Sequence, residues 1–138
     1  MATQYLLDAN ILSELLKNPQ GKVARKISTL PPVERDSIAT SIVVAAELRY
    51  GVAKSGSTIL ASRVDQMLNA LQIFPLEPET DRHYGRIRAE FEKAGTPIGA
   101  NDLLIAAQAL AIHAVLVTDN VREFKRVKGL QVQNWLRP

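Results

Sequence analysis

The chain has 138 residues, 46% of them hydrophobic and 22% charged, with a formal net charge of +3 and no cysteine. That composition is ordinary for one globular domain spanning residues 1–138, and it excludes disulfides, thiolate zinc sites and cysteine nucleophiles. No apolar run reaches the roughly 20 residues needed to cross a bilayer, and no secretory signal is visible, so a cytoplasmic protein without membrane contact is expected.

Tyr5-Leu6-Leu7 is a short apolar run that ends in Asp8. Bounded by polar residues, it predicts a buried strand over 4–8, passing directly into a helix over 10–17. That helix stops before Asn18-Pro19, because the residue before proline disfavours the α region. A second helix is predicted from Gln20 to Leu30, closed by Pro31-Pro32, and a second strand over 36–40. Ser41 is placed to cap a helix from Ile42 to about Lys54. In it Glu47 shares a face with Val43, Val44 and Gly51, where a carboxylate needs a partner: an arginine in the plain reading, a metal in the sharper one.

Gly56-Ser57 breaks the chain before a helix from about Thr58 to Gln72, whose Leu60, Val64, Met67, Leu68 and Leu71 form a packing stripe. Ile73 to Leu76 reads as a third strand, and Pro75 puts it at a sheet edge. A helix from about Glu79 to Ala94 stops at Gly95. Thr96 to Gly99 is a turn. Ala100-Asn101-Asp102 opens the most apolar helix, Leu103 to about Ile112, which is expected in the middle of the domain. Asp102 is either a cap favoured by the helix dipole or a rigidly held ligand, and Asn101 could supply the cap instead. Ala114 to Thr118 is the clearest strand and ends in Asp119-Asn120, repeating the first strand's apolar run followed by Asp. A short helix to about Val127 and a last strand over 130–133 follow.

Alternating strands and helices predict an α/β fold, a three-layer α/β/α sandwich around a parallel sheet. In an open α/β sheet ligands bind at the carboxyl ends of the strands. Asp8 and Asp119 emerge on that edge, and Asp102 and Glu47 can reach it from the neighbouring helices. Four clustered carboxylates raise one another's pKa, and divalent cations relieve the repulsion. An all-oxygen set points to Mg²⁺ or Mn²⁺. Such a site suits hydrolysis of phosphodiesters by a metal-activated water. Phosphate-binding glycine loops are absent. His83 and His113 are isolated and read as structural. Arg122, Lys125, Arg126 and Lys128 form a basic cluster, read as a solvated face or, less often, an RNA contact.

Five segments carry a family resemblance: residues 6–14 (LLDANILSE), 46–51 (AELRYG), 85–90 (GRIRAE), 95–107 (GTPIGANDLLIAA) and 116–124 (LVTDNVREF). Together they resemble the PIN-domain ribonucleases, most closely the VapC-type toxins of bacterial toxin–antitoxin pairs and their FitB-like relatives. The resemblance implies strand order 3-2-1-4-5 and a Mg²⁺- or Mn²⁺-dependent endoribonuclease acting on RNA, tRNA or ribosomal RNA in relatives. It assigns metal coordination to Asp8, Glu47 and Asp102, with Asp119 as the fourth acid and Asn10 and Thr118 in support. Many relatives carry Asn at the position of Asp119, and Thr is frequent at that of Ala9. The resemblance also implies a homodimer, silenced by a VapB-type antitoxin in a larger complex that reaches operator DNA through the antitoxin. The alternative it leaves is a FitB-like regulatory partner with little nuclease activity.

Overall fold

A computed structural model describes residues 3–137. Its elements, in chain order, are β1 (Tyr5–Leu7), α1 (Ala9–Lys17), α2 (Lys22–Thr29), α3 (Pro32–Arg35), β2 (Ile38–Ser41), α4 (Ile42–Ser55), α5 (Thr58–Asn69), β3 (Gln72–Phe74), α6 (Thr80–Lys93), α7 (Ala100–Ala111), β4 (Val115–Val117), α8 (Val121–Phe124) and β5 (Val132–Gln133). The five strands form one sheet in the order β3-β2-β1-β4-β5, and every pairing is parallel. This is the expected order, with β3 at an edge; the strand stops at Phe74, short of the expected Leu76, so Pro75 follows it.

Every residue of β1 and of β4 is buried. Alternating residues of a strand face opposite ways, so burial of all of them means that helices cover both faces of the central sheet. α7 lies deepest. Its Ile105, Ala106, Ala107 and Ala109 are wholly buried, and the small alanines let the helix backbone approach its neighbours closely. Gln108 is the one polar residue on that buried stretch. Its side-chain amide donates to the carbonyls of Phe74 and Pro75 at 2.9 and 3.0 Å, tying α7 to the end of β3.

Several boundaries differ from the sequence reading, each for a local reason. Pro31-Pro32 does close α2, but Pro32 then occupies the first turn of the separate helix α3, where its missing N–H costs nothing. Gln72 belongs to β3 rather than to the end of α5, which stops at Asn69. α7 starts at Ala100 with Gly99 as its N-cap and no side-chain cap, so neither Asn101 nor Asp102 serves as one. α8 ends at Phe124, short of Val127, and β5 is only two residues long. The two expected glycine breaks hold. Gly56 and Gly95 follow α4 and α6 with φ of +67° and +75°, a region that L side chains rarely adopt. His113 takes a comparable position after α7, at φ +56°.

Because all strands run the same way, their carboxyl ends share one edge. Asp8, Thr118 and the residues after β5 are collected there, and α4 and α7 pack on each other nearby.

Candidate active site

Asp8 follows β1 directly and caps α1. Its backbone N–H donates to Val117 O at 2.9 Å, which locks it beside the end of β4. It is 5% exposed. Oδ1 accepts from the Ala9 N–H at 2.8 Å, and Oδ2 accepts from the Thr118 hydroxyl at 2.8 Å. Burial nevertheless dominates, and pushes the Asp8 carboxyl above its ordinary value against the lowering effect of those two hydrogen bonds.

Thr118 is wholly buried and saturated. Its hydroxyl donates to Asp8 and accepts from the Asn120 N–H at 3.0 Å and from Asn10 Nδ2 at 3.3 Å. A hydroxyl has one proton and two lone pairs, so all its capacity is used. Asn10 bridges onward, its Oδ1 accepting from the Asp119 N–H at 3.0 Å. The Asp8 carboxylate is thus fixed by a three-residue network from two strands.

Glu47 comes from the middle of α4 and Asp102 from the first turn of α7. Glu47 Oε1 is buried and has no hydrogen-bond partner. Its carboxyl is raised first by burial and then by the charges of Asp8 and Asp102. No arginine pairs with it among the described residues, which removes the plain reading of that carboxylate. Asp102 is pushed up to about 6, by burial first and then by Asp8 and Glu123. Asp8, Glu47 and Asp102 therefore sit in one another's field, at the sheet edge where they were expected.

Asp119 is placed differently. Its Oδ1 accepts from Asn134 Nδ2 at 3.0 Å and from Arg137 Nε at 2.9 Å. Those contacts, the Asn134 amide first, hold its carboxyl below the ordinary value. The second charge acting on Asp102, after Asp8, is that of Glu123 on α8, which accepts from Asn120 Nδ2 at 2.9 Å. The sequence reading passed over Glu123. The signal available was its position, four residues beyond Asp119 on a short helix opened by an Asn.

The basic cluster near the C-terminus is split. Arg126 donates to Thr96 O and lies 4.6 Å over the Phe91 ring, a role within the fold. Arg126→Ala should cost about 1 kcal/mol of stability through the lost cation–π contact, read by denaturant unfolding; a cost near zero would return Arg126 to the free cations. Arg122, Lys125 and Lys128 are exposed.

Carboxylates in one another's field at the carboxyl edge of a parallel sheet define an acid-site α/β protein. The PIN domain family model matches residues 5–130. Ribonuclease VapC2 of Rickettsia felis is 39% identical over 132 residues, 95% of this chain and 97% of that protein. Ribonuclease VapC1 of Haemophilus influenzae strain R2866 is 38% identical over 135 residues, 96% and 98% of the two chains. Among solved structures, VapBC2 from Rickettsia felis bound to a DNA fragment from its promoter superposes with a TM-score of 0.84 at 36% identity, covering 96% of this chain and 99% of that one. FitAB bound to a DNA fragment superposes at 0.80 with 27% identity, covering 98% and 97%. The chain belongs to the PIN-domain family, in its VapC-type ribonuclease branch.

Proposed function

We propose that this chain is the toxin of a VapBC-type toxin–antitoxin pair and hydrolyses RNA phosphodiester bonds with Mg²⁺ or Mn²⁺. The observation that carries the reading is the buried, unpartnered Oε1 of Glu47 beside Asp8 and an Asp102 raised to about 6. Uncompensated buried carboxylates are costly unless paired or bound to metal. Asp8, Glu47 and Asp102 would hold the ion, with Glu123 adding charge from α8. Among the described residues no three acidic or histidine side chains already form a cage for one ion. When bound, the metal supplies a water of lowered pKa and neutralises charge on the phosphate. The chain's own part is positional: Thr118 and Asn10 fix Asp8, and the buried α7 holds Asp102 in place.

The similarity of the fold to VapBC assemblies supports a VapB-type antitoxin as partner, and through it promoter DNA. A groove between α1, α4 and α5, lined by Leu16, Leu48, Leu60 and Val64, is an apolar surface suited to such a partner. A homodimer is part of the same proposal. The VapC reading is preferred to the FitB-like one because identity is higher, 36% against 27% for the two solved complexes. No helix of the described residues is long and apolar enough to cross a membrane.

Two measurements test the proposal. Purified protein should cut a total tRNA or ribosomal RNA pool into discrete fragments with Mg²⁺ or Mn²⁺ and not with chelator. Cleavage that persists undiminished in chelator would refute the metal site. Mn²⁺ at about a hundred times its Kd should also raise stability by about 2.7 kcal/mol, seen as a higher Tm, since a ligand bound only by the folded state stabilises it.

A further inference from the structure

A site ringed by Asp8, Glu47, Asp102 and Glu123 repels a polyanion. An RNA strand must therefore be drawn in by positive surface close by. The cluster anticipated for this near the C-terminus is reduced by the engagement of Arg126. A second basic surface lies on α2. Lys22, Arg25 and Lys26 are spaced i, i+3 and i+4 along α2, so they project from one face. All three are exposed, and among the described residues none forms an ion pair.

That face is one wall of a trough. The other wall is the segment after β5, residues 133–137. Two contiguous depressions of about 520 and 460 Å³ share Lys22 and Arg25. Arg137 adds a further cation, and Glu14 is the single acid of the lining, its Oε2 accepting from Asn18 Nδ2 at 2.6 Å. Trp135 forms the apolar floor. It is held rigid by its indole N–H donating to Gln133 Oε1 at 3.0 Å and by an edge-on contact with the Tyr5 ring at 5.2 Å. The second depression extends to Arg137. The Thr118 N–H donates to the Gln133 carbonyl at 2.9 Å, and Arg137 pairs with Asp119, whose backbone N–H donates to Asn10.

We infer that this trough carries the sugar–phosphate backbone of the RNA strand, with Lys22, Arg25 and Lys26 contacting successive phosphates and leading the strand to the acids. The inference rests on the ribonuclease reading above. A row of cations along an open groove suits a chain of phosphates, the arrangement by which proteins track single strands.

The test is anisotropy of a fluorescein-labelled RNA of about twelve nucleotides, in an Asp8→Asn background that leaves the probe intact. The triple variant Lys22→Ala/Arg25→Ala/Lys26→Ala should bind at least tenfold more weakly. The slope of log K against log salt should flatten by about 2, three contacts at about 0.7 each. In the active protein the same triple should raise KM and leave kcat nearly unchanged. Arg25→Glu alone should act in the same direction, and the charge-matched triple Lys54→Ala/Arg82→Ala/Lys93→Ala should act far less. Equal losses in both triples, or an unchanged salt slope, would overturn the trough. So would unchanged RNA binding accompanied by weakened binding of a polyglutamate peptide, which would assign the trough to an acidic protein segment. If the wild type neither binds nor cuts RNA, the ribonuclease reading falls as well. If it cuts and the triple cuts with the same KM, only the trough falls.

Discussion

Asp102→Asn should abolish RNA cleavage and, at the same time, stabilise the metal-free protein at about pH 7.5. The first effect follows from its place among the acids. A metal ligand contributes several kcal/mol to stabilising charge in the transition state, and about 3 kcal/mol already corresponds to about a hundredfold in rate. The second follows from linkage. The Asp102 carboxyl is raised from its ordinary 3.8 to about 6, through burial and the charges of Asp8 and Glu123. Between those two values the folded chain holds a proton that the unfolded chain has given up. Stability therefore falls as pH rises through this window and stays at its lower level above it. Asparagine has no proton to lose and escapes that loss. Thermal unfolding in chelator should show the variant above the wild type at about pH 7.5 and close to it only below the unfolded value, at about pH 3.5. Wild-type cleavage by the variant would remove Asp102 from the site. A lower Tm at both pH values would instead make it a structural residue of α7.

The opposing prediction is worth setting beside it. Mn²⁺ should restore the order, stabilising the wild type more than the variant, because the wild type alone has the full set of acids to offer. A residue that destabilises the empty protein and stabilises the loaded one is acting on the ion.

Much of the fold could be read from the sequence because its signals are local. Tyr5-Leu6-Leu7 and Val115-Leu116-Val117 are apolar on both faces, which only the centre of a covered parallel sheet accommodates. Pro75 ends β3 at Phe74. What could not be read locally was the direction of side chains at strand ends. Asp119 drew attention because it follows an apolar run, as Asp8 does. But β1 ends at Leu7 and β4 at Val117, so the residue matching Asp8 in register is Thr118. Thr118 turns inward to Asp8, and its neighbour must turn away, here to Asn134 and Arg137. Glu123 escaped notice for the complementary reason. Its charge acts on Asp102 across the fold, a long-range placement that no spacing along the chain encodes. Ser41 caps α4 as its position suggested, its hydroxyl accepting from the Val43 N–H at 3.0 Å, but the start of α7 was missed because Gly99 caps it with backbone alone.

Glu123→Gln and Asp119→Asn separate the two candidates for the fourth acid. Glu123→Gln should slow cleavage by about tenfold or more, the loss of roughly 1.4 kcal/mol or more of electrostatic support. Asp119→Asn should slow it only a few-fold. An amide oxygen still accepts from Asn134 and Arg137, and the ion pair it gives up is half in solvent, worth at most about 1 kcal/mol of stability. The acid limb of the pH–rate profile separates the two further. Glu123 is among the causes that raise Asp102, so without its charge Asp102 ionises at lower pH and the limb should move down. Asp119 exerts no such influence, and Asp119→Asn should leave the limb in place. Single-turnover cleavage across about pH 5 to 8 at a fixed, sub-saturating Mn²⁺ concentration, where a proton on Asp102 competes with the metal, reads both quantities at once. If Asp119→Asn proves the slower enzyme and moves the limb, the carboxylate swings from Arg137 into the site when metal binds, and the assignment of the fourth acid passes back to it.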